Sequence, residues 1–175
     1  MLEIQVVRTD DLPRDVRTAV RTLLEGSFAD FTEDDWRHAL GGRHVVATDG
    51  SLVAHAALVE RTIEVGDRAL RAGYVEGVAT AADRRGGGAG SAVMRRVAEM
   101  IDVDHELGAL STGAHRFYER LGWERWLGPS FVRHGEELVR TPDEDDGIVV
   151  LRGGRTGVLD LTLPIVCEGR AGDDW

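Results

Sequence analysis

The chain contains no lysine: all 21 of its Lys-plus-Arg residues are arginine. That absence excludes chemistry built on an amine side chain. A P-loop needs Gly-Lys-Ser/Thr, and pyridoxal-phosphate and Schiff-base mechanisms need a lysine amine. The phosphate-pairing lysine of kinases has no counterpart either. Cysteine is almost as scarce. Cys167 alone permits neither an intrachain disulfide framework nor a multi-cysteine zinc site. No apolar run approaches the ~20 residues of a membrane span. The opening residues Met1-Leu2-Glu3-Ile4-Gln5 have no basic segment followed by an apolar one, so no secretory signal is expected. These features point to the cytoplasm and away from membranes.

What is present fits a single globular domain spanning residues 1–175, with 42% hydrophobic and 30% charged residues. The net charge is −10, which repels phosphate backbones and argues against nucleic acid as a partner. It favours cationic small molecules, although ordinary solubility accounts for it equally well until the acids are located. The six histidines show no metal-ligand spacing, and no metal is assigned.

The hydrophobic pattern predicts an alternation of strands and helices. Leu2 to Val7 reads as a strand. Pro13 sits in the first turn of a helix whose apolar face is Val16, Ala19, Val20, Leu23 and Leu24, ended by Gly26. Thr32 with Asp35 three residues on resembles a capping box for a short second helix. His44–Thr48, the turn Asp49-Gly50 and Leu52–Val59 predict a hairpin. Thr62–Val65 and Ala69–Thr80 predict a further pair. A glycine-dense segment precedes a helix bearing Val93, Met94, Val97, Ala98 and Ile101 on one face. A short strand at Leu107–Leu110, a helix at Ala114–Leu121, and strands at Phe131-Val132, Ile148–Leu151 and Val158–Val166 complete the chain. The order predicts an α+β fold, with a central mixed sheet and helices on its faces.

The densest local signal is Arg84-Arg85-Gly86-Gly87-Gly88-Ala89-Gly90-Ser91, between a strand and a helix. Successive small residues let backbone N–H groups converge, and a helix N-terminus adds partial positive charge, so a pyrophosphate is favoured there. An empty glycine turn is the bland alternative. The dinucleotide fingerprint does not fit, because the third glycine comes one residue early.

The pattern Arg/Gln-x-x-Gly-x-Gly/Ala does fit, at Arg85 to Gly90, and it resembles the acetyl-CoA loop of the GNAT N-acetyltransferases. Ala114-His115-Arg116-Phe117-Tyr118-Glu119-Arg120-Leu121-Gly122-Trp123 resembles that superfamily's second signature. A closer resemblance, to the aminoglycoside 2′-N-acetyltransferases, spans nearly the whole chain. It is carried by Asp30-Phe31-Thr32-Glu33-Asp34-Asp35-Trp36, Tyr74-Val75-Glu76-Gly77-Val78-Ala79, Leu107-Gly108-Ala109-Leu110-Ser111 and the terminal Arg170-Ala171-Gly172-Asp173-Asp174-Trp175. The acidic segment Pro142–Gly147 is one residue longer than that family's pattern, and Arg152–Thr156 matches it least.

The resemblance implies a GNAT fold with a central mixed, largely antiparallel, splayed sheet and helices on both faces. It implies acetyl-CoA as cosubstrate, a cationic aminoglycoside as acceptor and a homodimer. Val78, Ala79 and Thr80 would offer backbone groups to the pantetheine arm, and Arg85, Gly86, Gly87, Gly88, Ala89 and Gly90 would hold the pyrophosphate. Gly77, in mid-strand, suits a bulge that splays the strand, and the Val78 N–H would face the thioester oxygen. Glu76, a carboxylate in an apolar strand, would serve as general base and Tyr118 as general acid. The acceptor would be held by Asp30, Asp35, Glu76, Gly77, Ser111, Glu144, Asp145, Asp173 and the Trp175 carboxylate. On pattern alone, each acid reads as a solvated loop and Tyr118 as core. Direct attack is favoured, since no Gly-x-Ser-x-Gly elbow occurs and Cys167 stands in no motif. Other readings are a GNAT enzyme acting on another polyamine or amino sugar, a non-catalytic acyl-CoA-binding module, and a protein N-acetyltransferase.

Overall fold

The structure, a computed structural model, describes all of residues 1–175. The chain groups into two compact units, Met1–Val59 with Val75–Val97, and Glu60–Tyr74 with Ala98–Trp175. Strands β3 (Leu52–Val65) and β4 (Arg68–Thr80) and helix α3 (Ala89–Asp104) each contribute to both.

In the first unit, β1 (Glu3–Arg8) pairs antiparallel with β2 (Arg43–Thr48), which pairs antiparallel with the first half of β3. Between them in sequence lie α1 (Arg14–Glu25) and α2 (Glu33–Ala39). The expected apolar face of α1 forms: Val20 and Leu24 are buried with Trp36, Val46 and Ala79, and Val16, Leu23, Phe31, Leu40 and Leu52 pack around them. Spacings of three and four residues put Val16, Val20, Leu23 and Leu24 on one stripe of a 3.6-residue helix. The Arg17 and Arg21 guanidinium carbons lie 5.9 and 5.7 Å from the Trp36 ring centroid, covering its outer face. The capping box forms as expected. The Asp35 N–H donates to Thr32 Oγ1 at 3.2 Å, and the Thr32 N–H donates to Asp35 Oδ2 at 2.7 Å.

The second unit holds β5 (Leu107–Ser111), α4 (His115–Glu119), β6 (Glu124–Arg125), β7 (Ser130–His134), β8 (Glu137–Arg140), β9 (Ile148–Arg152) and β10 (Ile165–Glu168). Its strands run in the order β6-β9-β5-β4-β3-β10-β7-β8. The β4–β5 and β10–β7 pairs are parallel, and the β3–β10, β5–β9, β6–β9 and β7–β8 pairs are antiparallel. The architecture is therefore α+β with a mixed, mainly antiparallel sheet and four helices. Pairing of β4 with β5 covers Ala72–Tyr74, although β4 continues to Thr80.

Three expectations need correction. Leu52–Val59 and Thr62–Val65 are one strand, β3, because the polar Glu60-Arg61-Thr62 stretch interrupts the hydrophobic pattern without breaking the backbone. The helix expected over Ala114–Leu121 is only His115–Glu119; the Leu121 and Trp123 N–H groups both return to the Tyr118 carbonyl and close it. The strand expected over Val158–Val166 starts at Ile165. Pro164 has no N–H for a ladder, and the Asp160 carboxylate takes the Thr162 N–H at 2.9 Å into a local turn.

Candidate active site

In the first unit the site is organised around Gly77 of β4. Gly77 adopts φ +56°, a conformation that L side chains rarely take. A Cβ there would lie 3.2–3.3 Å from the Leu24 methyls, so the close approach of α1 demands glycine as well. The strand's burial alternation fails here: Glu76, Gly77 and Val78 are all half-buried, between buried Val75 and buried Ala79. A positive φ and a lost alternation thus coincide at Gly77, in a strand that runs on to Thr80. The Gly77 carbonyl accepts from His55 Nδ1 at 2.8 Å, and His55 Nε2 lies 2.9 Å from His44 Nδ1. His44 Nε2 in turn lies 2.9 Å from the Thr9 hydroxyl.

Both rings are fully buried. Burial denies the charged imidazolium its water and drives the His44 pKa from 6.5 to about 4, with Arg17 adding to the effect. Burial drives the His55 pKa from 6.5 to about 3; His44 lowers it further, and the bond to the Gly77 carbonyl opposes the shift. The unfolded chain binds a proton on each ring below about pH 6.5, whereas the folded chain does not until about pH 4 or 3. The histidine contribution to stability is thus complete above pH 6.5 and is lost as the pH falls. The expected slope is about 1.4 kcal/mol per pH unit for each ring between pH ~6 and ~4. Denaturant melts across that range check it: His55→Asn should remove about half of the slope, and an unchanged slope would refute the assignment.

Beyond β4 the chain enters the glycine loop. Gly86 and Gly88 have φ +80° and +88°, and a Cβ on either would meet nothing within 4 Å. Gly86, Gly87 and Gly88 are exposed, and α3 starts at Ala89 with the Ala92 N–H donating to the Gly88 carbonyl. Alternating backbone handedness, free space and a 16-residue helix behind it make an anion-binding nest. A pyrophosphate fits this loop. Arg84 is committed elsewhere, donating to Asp49 at 2.6 Å. The exposed Arg85 donates through Nε to the Thr80 carbonyl at 3.3 Å, which sets its head beside the loop. Of the acids in this unit, Asp30 is exposed at a turn, and Asp35 is half-buried with Oδ2 engaged by Thr32.

In the second unit, Tyr118 is buried on α4. Phe117 stands edge-on to it at 5.0 Å and Trp123 at 5.9 Å between ring centroids. Burial pushes the Tyr118 phenol up to about 12. Ser111 and Glu144, 33 residues apart, are brought together: the Ser111 hydroxyl donates to Glu144 Oε2 at 3.0 Å. The β5–β9 register, with Ser111 opposite Ile148, accounts for this.

Asp145 is heavily engaged. Its Oδ1 accepts from the Ser130 N–H, the Ser130 hydroxyl and Arg140 Nη1 at 2.8–2.9 Å, and its Oδ2 pairs with Arg140 Nη2. The Arg140 guanidinium and these donors hold its carboxyl down to about 2.

The carboxy-terminal segment is tied down. The Asp174 carbonyl accepts from Arg61 at 2.6 Å, the Asp173 carbonyl from Arg170 at 2.6 Å, and the Asp174 carboxylate from the Arg170 N–H at 2.8 Å. Trp175 is buried and the Asp173 side chain exposed. Arg61 and Arg170 also lie over the Tyr74 ring, at 4.8 and 5.5 Å. Sequence reasoning missed both the histidine pair and this anchoring. The available signal for the former was a lone polar residue, His55, inside the apolar run Leu52–Val59. No group of three or more His, Cys, Asp and Glu side chains is placed to hold a metal, and no helix is long and apolar enough to cross a membrane.

A strand with a positive-φ glycine, running through a glycine loop into a long helix within a mixed sheet, is the architecture of GNAT acetyltransferases. The model of the acetyltransferase (GNAT) domain family matches residues 11–126. An aminoglycoside 2′-N-acetyltransferase from Mycolicibacterium fortuitum is 41% identical over 98% of this chain and 91% of its own. The chain belongs to the GNAT acetyltransferase family, in the branch of the aminoglycoside 2′-N-acetyltransferases. Solved structures agree on the fold. An Escherichia coli GNAT family N-acetyltransferase in complex with CoA superposes with a TM-score of 0.67 and 19% identity, over 95% of this chain and 89% of that one. A Brucella melitensis GNAT family acetyltransferase in complex with acetyl-CoA gives 0.61 and 16%, over 94% of both chains. The chain spans about a third of the length of several longer acyltransferase structures that it also resembles.

Proposed function

We propose that the whole chain, 1–175, is one acetyltransferase domain that moves the acetyl group of acetyl-CoA to the 2′-amine of a cationic aminoglycoside. The observation that carries this is the 41% identity, over nearly all of both chains, to an enzyme of that specificity. The exposed nest at Gly86–Gly88 supports a pyrophosphate-bearing donor.

Acetyl-CoA, when bound, supplies an acetyl group activated as a thioester. Arg85 and the backbone of Gly86 to Gly90 hold its pyrophosphate, and Val78, Ala79 and Thr80 pair with its amide-bearing arm as an added strand. The Val78 N–H donates to the acyl oxygen as negative charge builds there. Glu76 accepts, through water, the proton that the substrate's ammonium group must lose before its nitrogen lone pair attacks the acyl carbon. Tyr118 donates its hydroxyl proton to the sulfur as the carbon–sulfur bond breaks, and it is reprotonated at the expense of the second proton that the acylated nitrogen loses as the amide forms.

Asp30, Asp35, Glu76, Ser111, Glu144, Asp145, Asp173, the Gly77 backbone and the Trp175 carboxylate orient the polycation. A substrate with several ammonium groups needs several carboxylates, which gives the net charge of −10 a role beyond solubility. Arg140 already compensates Asp145, so Asp145 contributes less attraction than the exposed Asp30 and Asp173. The protein is taken to act in the cytoplasm as a homodimer.

Regiochemistry tests the proposal. Tobramycin has a 2′-amine; kanamycin A has a hydroxyl there and is similar in shape and charge. Attack requires one amine within ~3–3.5 Å of the acyl carbon. Thiol release from acetyl-CoA should be rapid with tobramycin and negligible with kanamycin A, which should inhibit the tobramycin reaction. Comparable turnover of both would mean that another amine is acetylated, and the 2′ assignment would fall.

A further inference from the structure

The histidine pair behind β4 has a defined polarity. The Gly77 carbonyl can only accept, so His55 Nδ1 carries the proton of their 2.8 Å bond. The neutral His55 ring then accepts at Nε2, so the proton of the 2.9 Å His44–His55 bond belongs to His44 Nδ1. His44 Nε2 must accept in turn, so the Thr9 hydroxyl gives its one proton to this nitrogen, 2.9 Å away, rather than to the Gly42 carbonyl at 3.2 Å. Thr9 Oγ1 itself accepts from the Gly41 N–H at 3.0 Å. Every donor in the series Gly41, Thr9, His44, His55 therefore points the same way, and the series ends on one peptide group, Gly77–Val78.

No peptide bond in the chain is cis. In a trans peptide the C=O and the following N–H point to opposite sides of one rigid plane. Drawing the Gly77 carbonyl toward His55 thus turns the Val78 N–H away from it. Glycine at φ +56° has no side chain of its own to anchor this plane, and its neighbours Glu76 and Val78 are half-buried. A hydrogen bond on the carbonyl also polarises the same amide and strengthens its N–H as a donor.

We infer that His55, backed by His44 and Thr9, is a positioning residue that aims and polarises the Val78 N–H for the acyl oxygen. The inference rests on the reading of Val78 as that donor. His55 touches neither substrate. Its effect belongs to the chemical step, where charge develops on the oxygen, more than to binding.

Replacement at position 55 separates this role from core packing. In His55→Asn the amide nitrogen stands where Nδ1 stood and still reaches the Gly77 carbonyl. In His55→Gln the amide lies at the place of Nε2, too far along to reach it. His55→Leu fills the space without a donor. Two readouts are taken: the Val78 amide proton resonance in the protein alone, and steady-state kinetics with acetyl-CoA and tobramycin.

The Val78 resonance should shift in the leucine and glutamine variants and stay near its original position in the asparagine variant. kcat should fall about 50- to 100-fold for leucine and glutamine, with acetyl-CoA affinity unchanged within threefold, and asparagine should recover it to within about fivefold. If the leucine variant does not fold, the asparagine–glutamine pair decides. Equal loss in all variants, in proportion to their melting temperatures and with the Val78 resonance unmoved, would reduce His55 to a core residue and overturn the inference, as would full activity in His55→Leu. Failure of the wild-type protein to release thiol with any aminoglycoside would instead defeat the proposed function. The resonance test would still stand.

Discussion

Tyr118→Phe is expected to lower kcat by about 10²-fold while acetyl-CoA affinity holds within threefold. The phenyl ring keeps the contacts to Phe117 and Trp123, so the change removes one oxygen and little packing. General-acid catalysis contributes typically 10²–10⁴-fold. The lower end applies here because burial has pushed the phenol up to about 12, well above the ~8.5 of an alkyl thiol. An acid that holds its proton so firmly gives it up only as the sulfur acquires charge, and it contributes less than a matched acid. The same value means that Tyr118 stays protonated across the working range. A pH–rate profile should therefore show no alkaline fall from Tyr118 below pH ~10, in either kcat or kcat/KM. A loss of less than threefold in the phenylalanine variant, with chemistry shown to be rate-limiting by single-turnover kinetics, would remove Tyr118 from the mechanism.

Gly88→Asp is expected to weaken acetyl-CoA binding by at least about 10²-fold with the fold retained. The residue's φ of +88° disfavours any side chain, at a cost of roughly 1–2 kcal/mol. Aspartate is among the residues that tolerate that region best, and no atom lies within 4 Å of the new Cβ. A carboxylate at the start of α3 also recovers roughly 0.3–1 kcal/mol from the helix dipole. The folded state therefore loses little. The ligand loses much more. Two like charges about 4 Å apart near a protein surface repel by about 4 kcal/mol, nearly 10³-fold in affinity. Calorimetric titration with acetyl-CoA, beside a thermal melt, separates the two effects. Gly88→Ala, more strained than the aspartate variant but uncharged, should still bind markedly better than Gly88→Asp. Unchanged affinity in Gly88→Asp would show the loop to be an ordinary turn.

Much of this site was legible from residue order. The glycine loop, the start of α3, the capping box at Thr32 and Asp35, and the apolar face of α1 are products of turn chemistry and helical period, which operate over a few residues. They formed where the pattern placed them, within a residue or two. Gly77 was legible for the same reason: a glycine in an otherwise apolar strand marks a position of unusual backbone, here φ +56°. The full-length likeness to the 2′-N-acetyltransferases rests on motifs of that kind.

Where sequence reading failed, pairing had overridden pattern. Glu60-Arg61-Thr62 looks like the end of a strand, yet β3 continues through it to Val65, paired with β10 over Ile63–Val65. Val158–Val166 has strand composition, yet Asp160 and Pro164 turn most of it aside. The acids divided in a way that composition does not reveal: Asp145 spends its charge on Arg140, and Asp174 accepts the Arg170 N–H.

By itself the sequence determined the chemistry available to this protein: no amine side chain, one lone thiol, a glycine-rich loop before a helix, a carboxylate in an apolar strand and a phenol in the second family signature. Only the tertiary structure decided how those groups are held. The β2–β3 register sets His55 opposite Val46, which makes His44 its diagonal neighbour on the same face. Gly77, 22 residues further on, receives the end of that relay. Ser111 meets Glu144 across 33 residues, and Arg61 meets the Asp174 carbonyl across 113. Periodicity and turn preference report on neighbours a few residues apart. Contacts at these separations depend on which strands pair and in what register, and a single sequence does not contain that information in any local window.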